Sequence, residues 1–462
     1  MFSTVELPLW LLILILAFAA VTALSHFLLP SVRWFFRRRM ERVVAQLNER
    51  LQRPIAPFKL LRRQDMIQRL IYDPAVVEAV TADAAETGVR EDVSFQKARR
   101  YAREIVPSFS ATAYFGFAIR AAKVFSRAFY RVHLGKMEPA VSQAIASDAT
   151  VVFVMNHRSN MDYVLVTYLA AERSALSYAV GEWAHVWPLS RLIRAMGAYF
   201  IRRRSHNPLY RRVLSRYVQM ATRAGVAQAV FPEGALSLTG KVGEPKLGLL
   251  SYIVNDFDHD HGRNVVFVPV ALNYDRVIED RVLLSTSKGK VRKFKFRWRD
   301  AFRYVIKHLY QRATGRFVQF GNAAVSFGQP LSLAAFVDGK TGDQTKAIGR
   351  ELMTRIKAAV PALPVPMVSH CVLSKEGPRT RQDLVQDVAE LGDVLKSSGA
   401  SVTFSDAEAE QETEVAINHL LMRQVLRETE KGIIVVEGQS HLLTYYAEAI
   451  AQLLKTGTPG QG

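Results

Sequence analysis

From Ala149 onward, short runs rich in β-branched residues alternate with longer segments whose apolar residues recur every three or four positions. That alternation predicts an α/β layer: a mainly parallel mixed sheet flanked by helices. The strand runs are residues 150–155, 226–231, 265–271 and 317–327. Between the first two, Asn207 is placed to cap a helix that starts at Pro208. Tyr210, Val213, Leu214, Tyr217, Met220 and Ala221 fall on one face of it, and Gly225 stops it. This reads as a strand, crossover, strand unit.

The chain begins differently. Residues 7–29 are almost unbroken apolar sequence, and a spanning helix needs about 20 such residues. Arg33, Arg37, Arg38, Arg39 and Arg42 follow, which by the positive-inside rule puts everything downstream on the cytoplasmic face of a single-pass membrane protein. A cleaved signal peptide is the alternative, since Ala17-Phe18-Ala19 resembles a cleavage site, but no basic stretch precedes the apolar run. Trp34, Phe35 and Phe36 suit an interfacial path along the headgroups. Residues 40–136 carry helical spacing, and after Pro330 the chain turns helical again, with a proline-rich hinge at Pro361, Pro364 and Pro366. The tail from Lys455 reads as disordered. The 61 Lys and Arg exceed the 42 Asp and Glu, giving +19, so anionic partners are favoured. Cys371 is the only cysteine, which excludes an internal disulfide and a cysteine-based zinc cluster.

Chemistry concentrates behind the first strand run, at Asn156-His157-Arg158-Ser159-Asn160-Met161-Asp162. A histidine can take a proton near neutral pH, and an aspartate bonded to its far nitrogen fixes the tautomer and stabilises the imidazolium. The spacing equally suits a helix-capping loop. Three further segments follow in order: Gly197-Ala198-Tyr199-Phe200-Ile201-Arg202-Arg203, then Phe231-Pro232-Glu233-Gly234, then Val268-Pro269-Val270 with Tyr274-Asp275-Arg276.

These four blocks resemble those of the glycerolipid acyltransferase superfamily, H-x-x-x-x-D, G-x-x-F-I-R-R, F-x-E-G and V-P-V, in the same order. The wording is most similar to the bacterial glycerol-3-phosphate acyltransferases, over residues 73–330 with a weaker echo beyond. From the apolar run, the helical spacing and the span of the resemblance, four parts are expected: an anchor at 1–30, a helical region at 31–145, an acyltransferase domain at 146–335 and a C-terminal helical region at 336–462. The resemblance implies His157 as general base and Asp162 as its orienter. Arg202 and Arg203 would hold the acceptor's phosphate, for which a guanidinium fork is well shaped. Glu233, Gly234, Ser237, Lys246 and Pro269 would belong to the substrate pocket, with Lys246 left open between a phosphate contact and solvent. No metal or redox cofactor is expected. The implied partners are an acyl-CoA or acyl carrier protein thioester, glycerol 3-phosphate and membrane phospholipids, at the bacterial inner membrane. Lysophosphatidate or another lysolipid is the alternative acceptor.

One block departs from the pattern. Where the family continues F-x-E-G with Thr-Arg-Ser-Arg, this chain has Ala235-Leu236-Ser237-Leu238, so two expected cations are missing. Two other clusters offer different readings. Asp256, Asp258, His259, Asp260 and His261 could suggest a metal site, but crowd together before Gly262 as a polar loop does. Lys293, Lys295, Arg297 and Arg299 alternate with Phe294, Phe296 and Trp298, which would suit a membrane-tethered nucleic-acid binder. That class leaves the four ordered blocks unexplained, so no nucleic acid is expected.

Overall fold

The computed structural model describes residues 8–18, 38, 42, 44–51, 53–135, 145–169, 175–181, 189–202, 205–259, 262–287 and 319–456. The chain divides into two compact units, residues 1–55 and 56–462. In the first, residues 9–18 are helical and their apolar side chains face solvent, Trp10 67% and Phe18 73% exposed. No helix among the described residues is long and apolar enough to cross a membrane. Of the apolar run at 7–29, residues 8–18 are described; the rest lies outside, as do Trp34, Phe35 and Phe36.

The second unit is built on a mixed sheet. Its strands are β1 (Arg131–Leu134), β2 (Thr150–Met155), β3 (Ser177–Gly181), β4 (Tyr199–Ile201), β5 (Gln228–Val230), β6 (Val265–Tyr274), β7 (Asn322–Phe327) and β8 (Leu331–Ser332). They lie in the order β1-β7-β6-β2-β5-β3-β4, with β8 beside β6. β6, β2, β5, β3 and β4 run parallel, whereas β7 and β8 pair antiparallel to β6. Every residue of β2 and of β6 is buried. Their valine-rich runs are what strands covered on both faces require.

The helix Pro208–Arg223 begins as its sequence dictates. Asn207 Oδ1 accepts the Tyr210 N–H at 2.8 Å, and Gly225, at φ +76°, turns the chain out of the helix. Tyr210, Val213, Leu214, Tyr217 and Ala221 are buried, and Met220 is half-buried. The crossover is longer than predicted, because β3 and β4 intervene before the chain returns to place β5 against β2. β1 also falls inside a stretch of helical spacing and joins the sheet through β7. These strands are three to five residues long and are held by distant partners, so local periodicity carried too little signal.

The proline-rich segment is not a hinge. Pro361, Pro364 and Pro366 are buried, and the Asn273 side chain donates to the Pro361 carbonyl at 2.8 Å. Pro364 opens the helix Pro364–Ser374, where its missing N–H has no cost. That helix packs against Ser440–Thr456, the last helix described. A hairpin, β9 (Leu426–Thr429) and β10 (Gly432–Val435), interrupts the C-terminal helices. Asp256 binds Arg223 at 2.7 Å and lies 3.8 Å from Arg216, so that carboxylate is engaged in ion pairs. Asp260 and His261, and the basic and aromatic stretch at 288–308, lie outside the described residues.

Candidate active site

The parallel sheet brings the four sequence blocks to one edge. His157 lies just past the end of β2, Arg202 past β4 and Glu233 past β5, and Tyr274 is the last residue of β6. Because these strands are parallel, their carboxyl ends share one side of the sheet, where sites of open α/β layers form.

His157 and Asp162 are in contact. Imidazole Nδ1 is 2.8 Å from Asp162 Oδ2, and the two residues are 2% and 0% exposed. The same carboxylate oxygen accepts the N–H groups of Arg158, at 2.7 Å, and Ser159, at 3.0 Å. Asp162 Oδ1 accepts the Tyr274 hydroxyl at 2.6 Å. Burial, then the charge of Asp162, pushes the Tyr274 phenol well above its ordinary range, so it stays a donor. With Nδ1–H committed to Asp162, the Nε2 lone pair is free to take a proton.

Glu233 supports the histidine from behind. Its Oε1 accepts the His157 N–H at 2.9 Å and its Oε2 the Gly243 N–H at 3.2 Å. Burial raises its pKa, and these two donors partly offset the rise. Ser237 donates its N–H to the His157 carbonyl at 2.8 Å and its hydroxyl to the Lys241 carbonyl at 2.7 Å. On the other side, Glu279 accepts from Ser159 Oγ, at 2.8 Å, and from Asn160 Nδ2, at 2.9 Å. The last helix closes the arrangement. Gln452 bonds Val242 at N–H (2.9 Å) and carbonyl (3.1 Å), and the buried Arg158 donates to the Gly240 carbonyl with its guanidinium 5.3 Å from the Tyr445 ring centre.

A cavity of about 910 Å³ adjoins this centre, within the range that takes small-molecule ligands. Phe231 and Tyr163 line it, and the same two rings pack on His157 with centroids 4.5 and 5.5 Å away. The imidazole therefore lies one side chain behind the cavity wall. Gly234, at φ +67°, also lines the cavity, and a Cβ there would stand 3.0 Å from Lys246 Cδ. Lys246 and Arg202 lie in the same wall. Glu233, Ser237 and Pro269 are not among the described residues that line it; Pro269 sits inside β6, where its carbonyl accepts the Gly328 N–H at 2.9 Å.

Arg202 already has a partner. Its Nε and Nη2 donate to the Glu104 carboxylate at 2.9 and 2.6 Å, and its guanidinium packs beside the rings of Tyr101 and Tyr210, 5.2 and 5.4 Å from their centres. The Glu104 bonds raise its pKa further. Arg203 lies outside the described residues. Leu236 packs against the core and Leu238 is 41% exposed, so neither supplies charge. Arg211 and Arg212, on the first turn of Pro208–Arg223, also line the cavity. The sequence pattern did not single them out.

Residues 137–273 match the family model described as Acyltransferase, and residues 310–455 match the Glycerol-3-phosphate acyltransferase C-terminal region. A relative named glycerol-3-phosphate acyltransferase, from Ectopseudomonas mendocina (strain ymp), is 30% identical over 337 residues, covering 68% of this chain and 39% of the relative. Its namesake in Pseudoalteromonas atlantica (strain T6c / ATCC BAA-1087) is 25% identical over 436 residues, covering 88% and 52%. The chain thus spans about half or less of the length of these curated relatives. The solved 1-acyl-sn-glycerophosphate (LPA) acyltransferase PlsC from Thermotoga maritima is matched with a TM-score of 0.32 and 18% identity, over 53% of this chain and 80% of that one.

Proposed function

We propose that this chain is a member of the glycerolipid acyltransferase superfamily that transfers a fatty acyl group from an acyl thioester to the hydroxyl of glycerol 3-phosphate, giving lysophosphatidate, a reading supported by the two family-model matches. The observation that carries this reading is the 2.8 Å contact between His157 Nδ1 and Asp162 beside a cavity walled by Arg202, Arg211 and Lys246. His157 Nε2 accepts the hydroxyl proton as the acceptor oxygen attacks the thioester carbonyl. The imidazolium is stabilised by Asp162, and the proton passes to the departing thiolate as the tetrahedral intermediate collapses. Phe231 and Tyr163 must shift to bring the hydroxyl within reach of the imidazole. No nucleophilic side chain is needed, because the substrate supplies its own.

The acceptor's phosphate is met by Arg202, which Glu104 holds in place until the dianion competes for its fork, and by Lys246 and Arg211, which line the same cavity. These cations take up the load left by Leu236 and Leu238. Arg202→Ala is expected to raise the acceptor KM about tenfold or more with a smaller change in kcat, since a charge-assisted bond is worth about 1.5–3 kcal/mol. An unchanged acceptor KM would remove Arg202 from phosphate binding.

The domain bounds at 30, 145 and 335 stay part of this reading, as does a bacterial inner membrane location with the catalytic part facing the cytoplasm. Support for membrane contact comes from the solvent-facing apolar helix at 9–18 and from Ile119–Phe129, where Val124 (70% exposed) and Phe125 sit among the exposed cations Arg120, Lys123 and Arg127. Deleting residues 1–30 is expected to move the protein toward the soluble fraction on cell fractionation. Full retention would show that another segment is the principal anchor.

The reading as a whole is tested by incubating the purified chain with acyl-CoA or acyl carrier protein thioesters and a panel of acceptors, lysophosphatidate included, and identifying the lipid formed by mass spectrometry. Lysophosphatidate as product is the expected result. Acylation of a lysolipid alone would replace the acceptor, and no acyl transfer to any acceptor would reject the reaction.

A further inference from the structure

A second cavity, of about 360 Å³, opens between the segment that follows β6 and the C-terminal helices. Arg276, Arg281, His419 and Arg423 supply the basic part of its wall, Asp275 and Asp280 the acidic part, and Ile278 and Phe320 part of the apolar wall. It shares none of its lining residues with the cavity beside His157.

The charges around it do not cancel. Asp275, one of two carboxylates in the wall, accepts the Asn322 N–H and Nδ2 on one oxygen, at 2.7 and 2.8 Å, and the Val365 N–H at 2.9 Å on the other. Burial raises its pKa to about 6 and these donors offset part of the rise, so it is mostly ionised at neutral pH with both oxygens already engaged by N–H groups. Asp280 accepts from the Tyr446 hydroxyl at 2.5 Å and pairs with Arg423, which neutralises that guanidinium. Arg276 lies over the Phe320 ring, 4.2 Å from its centre, and Arg281 donates to the Arg423 carbonyl at 3.3 Å. Neither has a carboxylate within ion-pair reach among the described residues. With three guanidinium groups against two carboxylates in its wall, this concave, half-apolar space keeps a net positive charge, bordered by Arg276 and Arg281.

We propose that this cavity binds a phosphate monoester, its oxygens taken by Arg276 and Arg281 with His419 beside them, and the organic part lying against Phe320 and Ile278. Two guanidinium forks lining one cavity suit a tetrahedral dianion better than a planar carboxylate, which one fork satisfies. The site also has a route to the catalytic loop. Ile278 and Asp280 line the cavity, and Glu279 between them holds Ser159 and Asn160. A phosphate bound here would stiffen the segment that supports His157 from below. The inference does not rest on the acyl-transfer reading.

The test uses the full chain in detergent and follows binding of inorganic phosphate by calorimetry. Because the cavity beside His157 also carries arginines, wild type is compared with Arg202→Ala and with Arg276→Gln/Arg281→Gln. The expected result is that phosphate binding persists in Arg202→Ala and weakens about tenfold or more in the double variant. Should the double variant unfold, Met422→Glu puts a carboxylate on an exposed side chain of the cavity wall, 58% accessible, and is expected to weaken binding to a similar degree. Vesicles of phosphatidylcholine with and without phosphatidate identify the source. Capture by phosphatidate that depends on Arg276 and Arg281 assigns a lipid headgroup, and phosphate binding without it assigns a soluble phosphate ester. Phosphate affinity equal to wild type in the double variant, or in Met422→Glu if that is the folded one, overturns the proposal.

Discussion

Replacing His157 with alanine is expected to lower acyl transfer about a hundredfold or more, the usual worth of a positioned base. The imidazole is buried, with the rings of Phe231 and Tyr163 packed on it, so the truncation also opens a void and costs some stability. His157→Asn separates the two effects, because it fills much of the space but offers no nitrogen able to accept a proton. Turnover at saturating thioester and acceptor should collapse in both variants, while circular dichroism should show the asparagine variant folded. If either variant turns over near the wild-type rate, His157 is not the base.

Asp162→Asn should lower kcat by a smaller factor, about tenfold to a hundredfold, with the acceptor KM little changed. An amide oxygen at the Oδ2 position can still accept the N–H groups of His157, Arg158 and Ser159, and the Tyr274 hydroxyl can turn to accept from the amide nitrogen. The loop is therefore kept and the charge is lost, and with it stabilisation of the imidazolium worth about 1.5–3 kcal/mol. Tyr274→Phe is the control, since it removes a neighbour of the carboxylate and leaves its charge. An unchanged kcat in Asp162→Asn would make the aspartate only a brace for the loop. A result in which Tyr274→Phe costs as much as Asp162→Asn would assign the effect to loop geometry instead of charge.

Glu104 and Arg211 add a point about specificity. Arg202 meets Glu104 across 98 residues of sequence, and the pair keeps the guanidinium aligned in the cavity wall before any substrate arrives. A pre-aligned fork loses less conformational entropy on binding a phosphate than a free side chain would. The two leucines that replace the expected arginines have consequences only beside these neighbours, which the sequence pattern did not single out.

Much of the site could be read from the chain alone because it is local. His157 and Asp162 are five residues apart across one strand-to-helix turn, and Asn207 and Gly225 set the ends of their helix through bonds within three residues or a single backbone angle. The valine runs of β2 and β6 likewise announce burial on both faces. Tyr274 reaches Asp162 across 112 residues and Glu233 reaches the His157 backbone across 76. Which oxygen each one serves depends on the register of β2 against β6 and β5. Short-range sterics and hydrogen bonding therefore determined the helix caps, the long buried strands β2 and β6 and the histidine–aspartate pair, but not the short strands β1, β3 and β4. Strand pairing and burial decided the rest: that Glu233 faces the histidine backbone and not the cavity, that Arg202 is shared with Glu104, and that the imidazole lies behind two aromatic rings. Those outcomes depend on which distant surfaces exclude water together, and no local pattern encodes that.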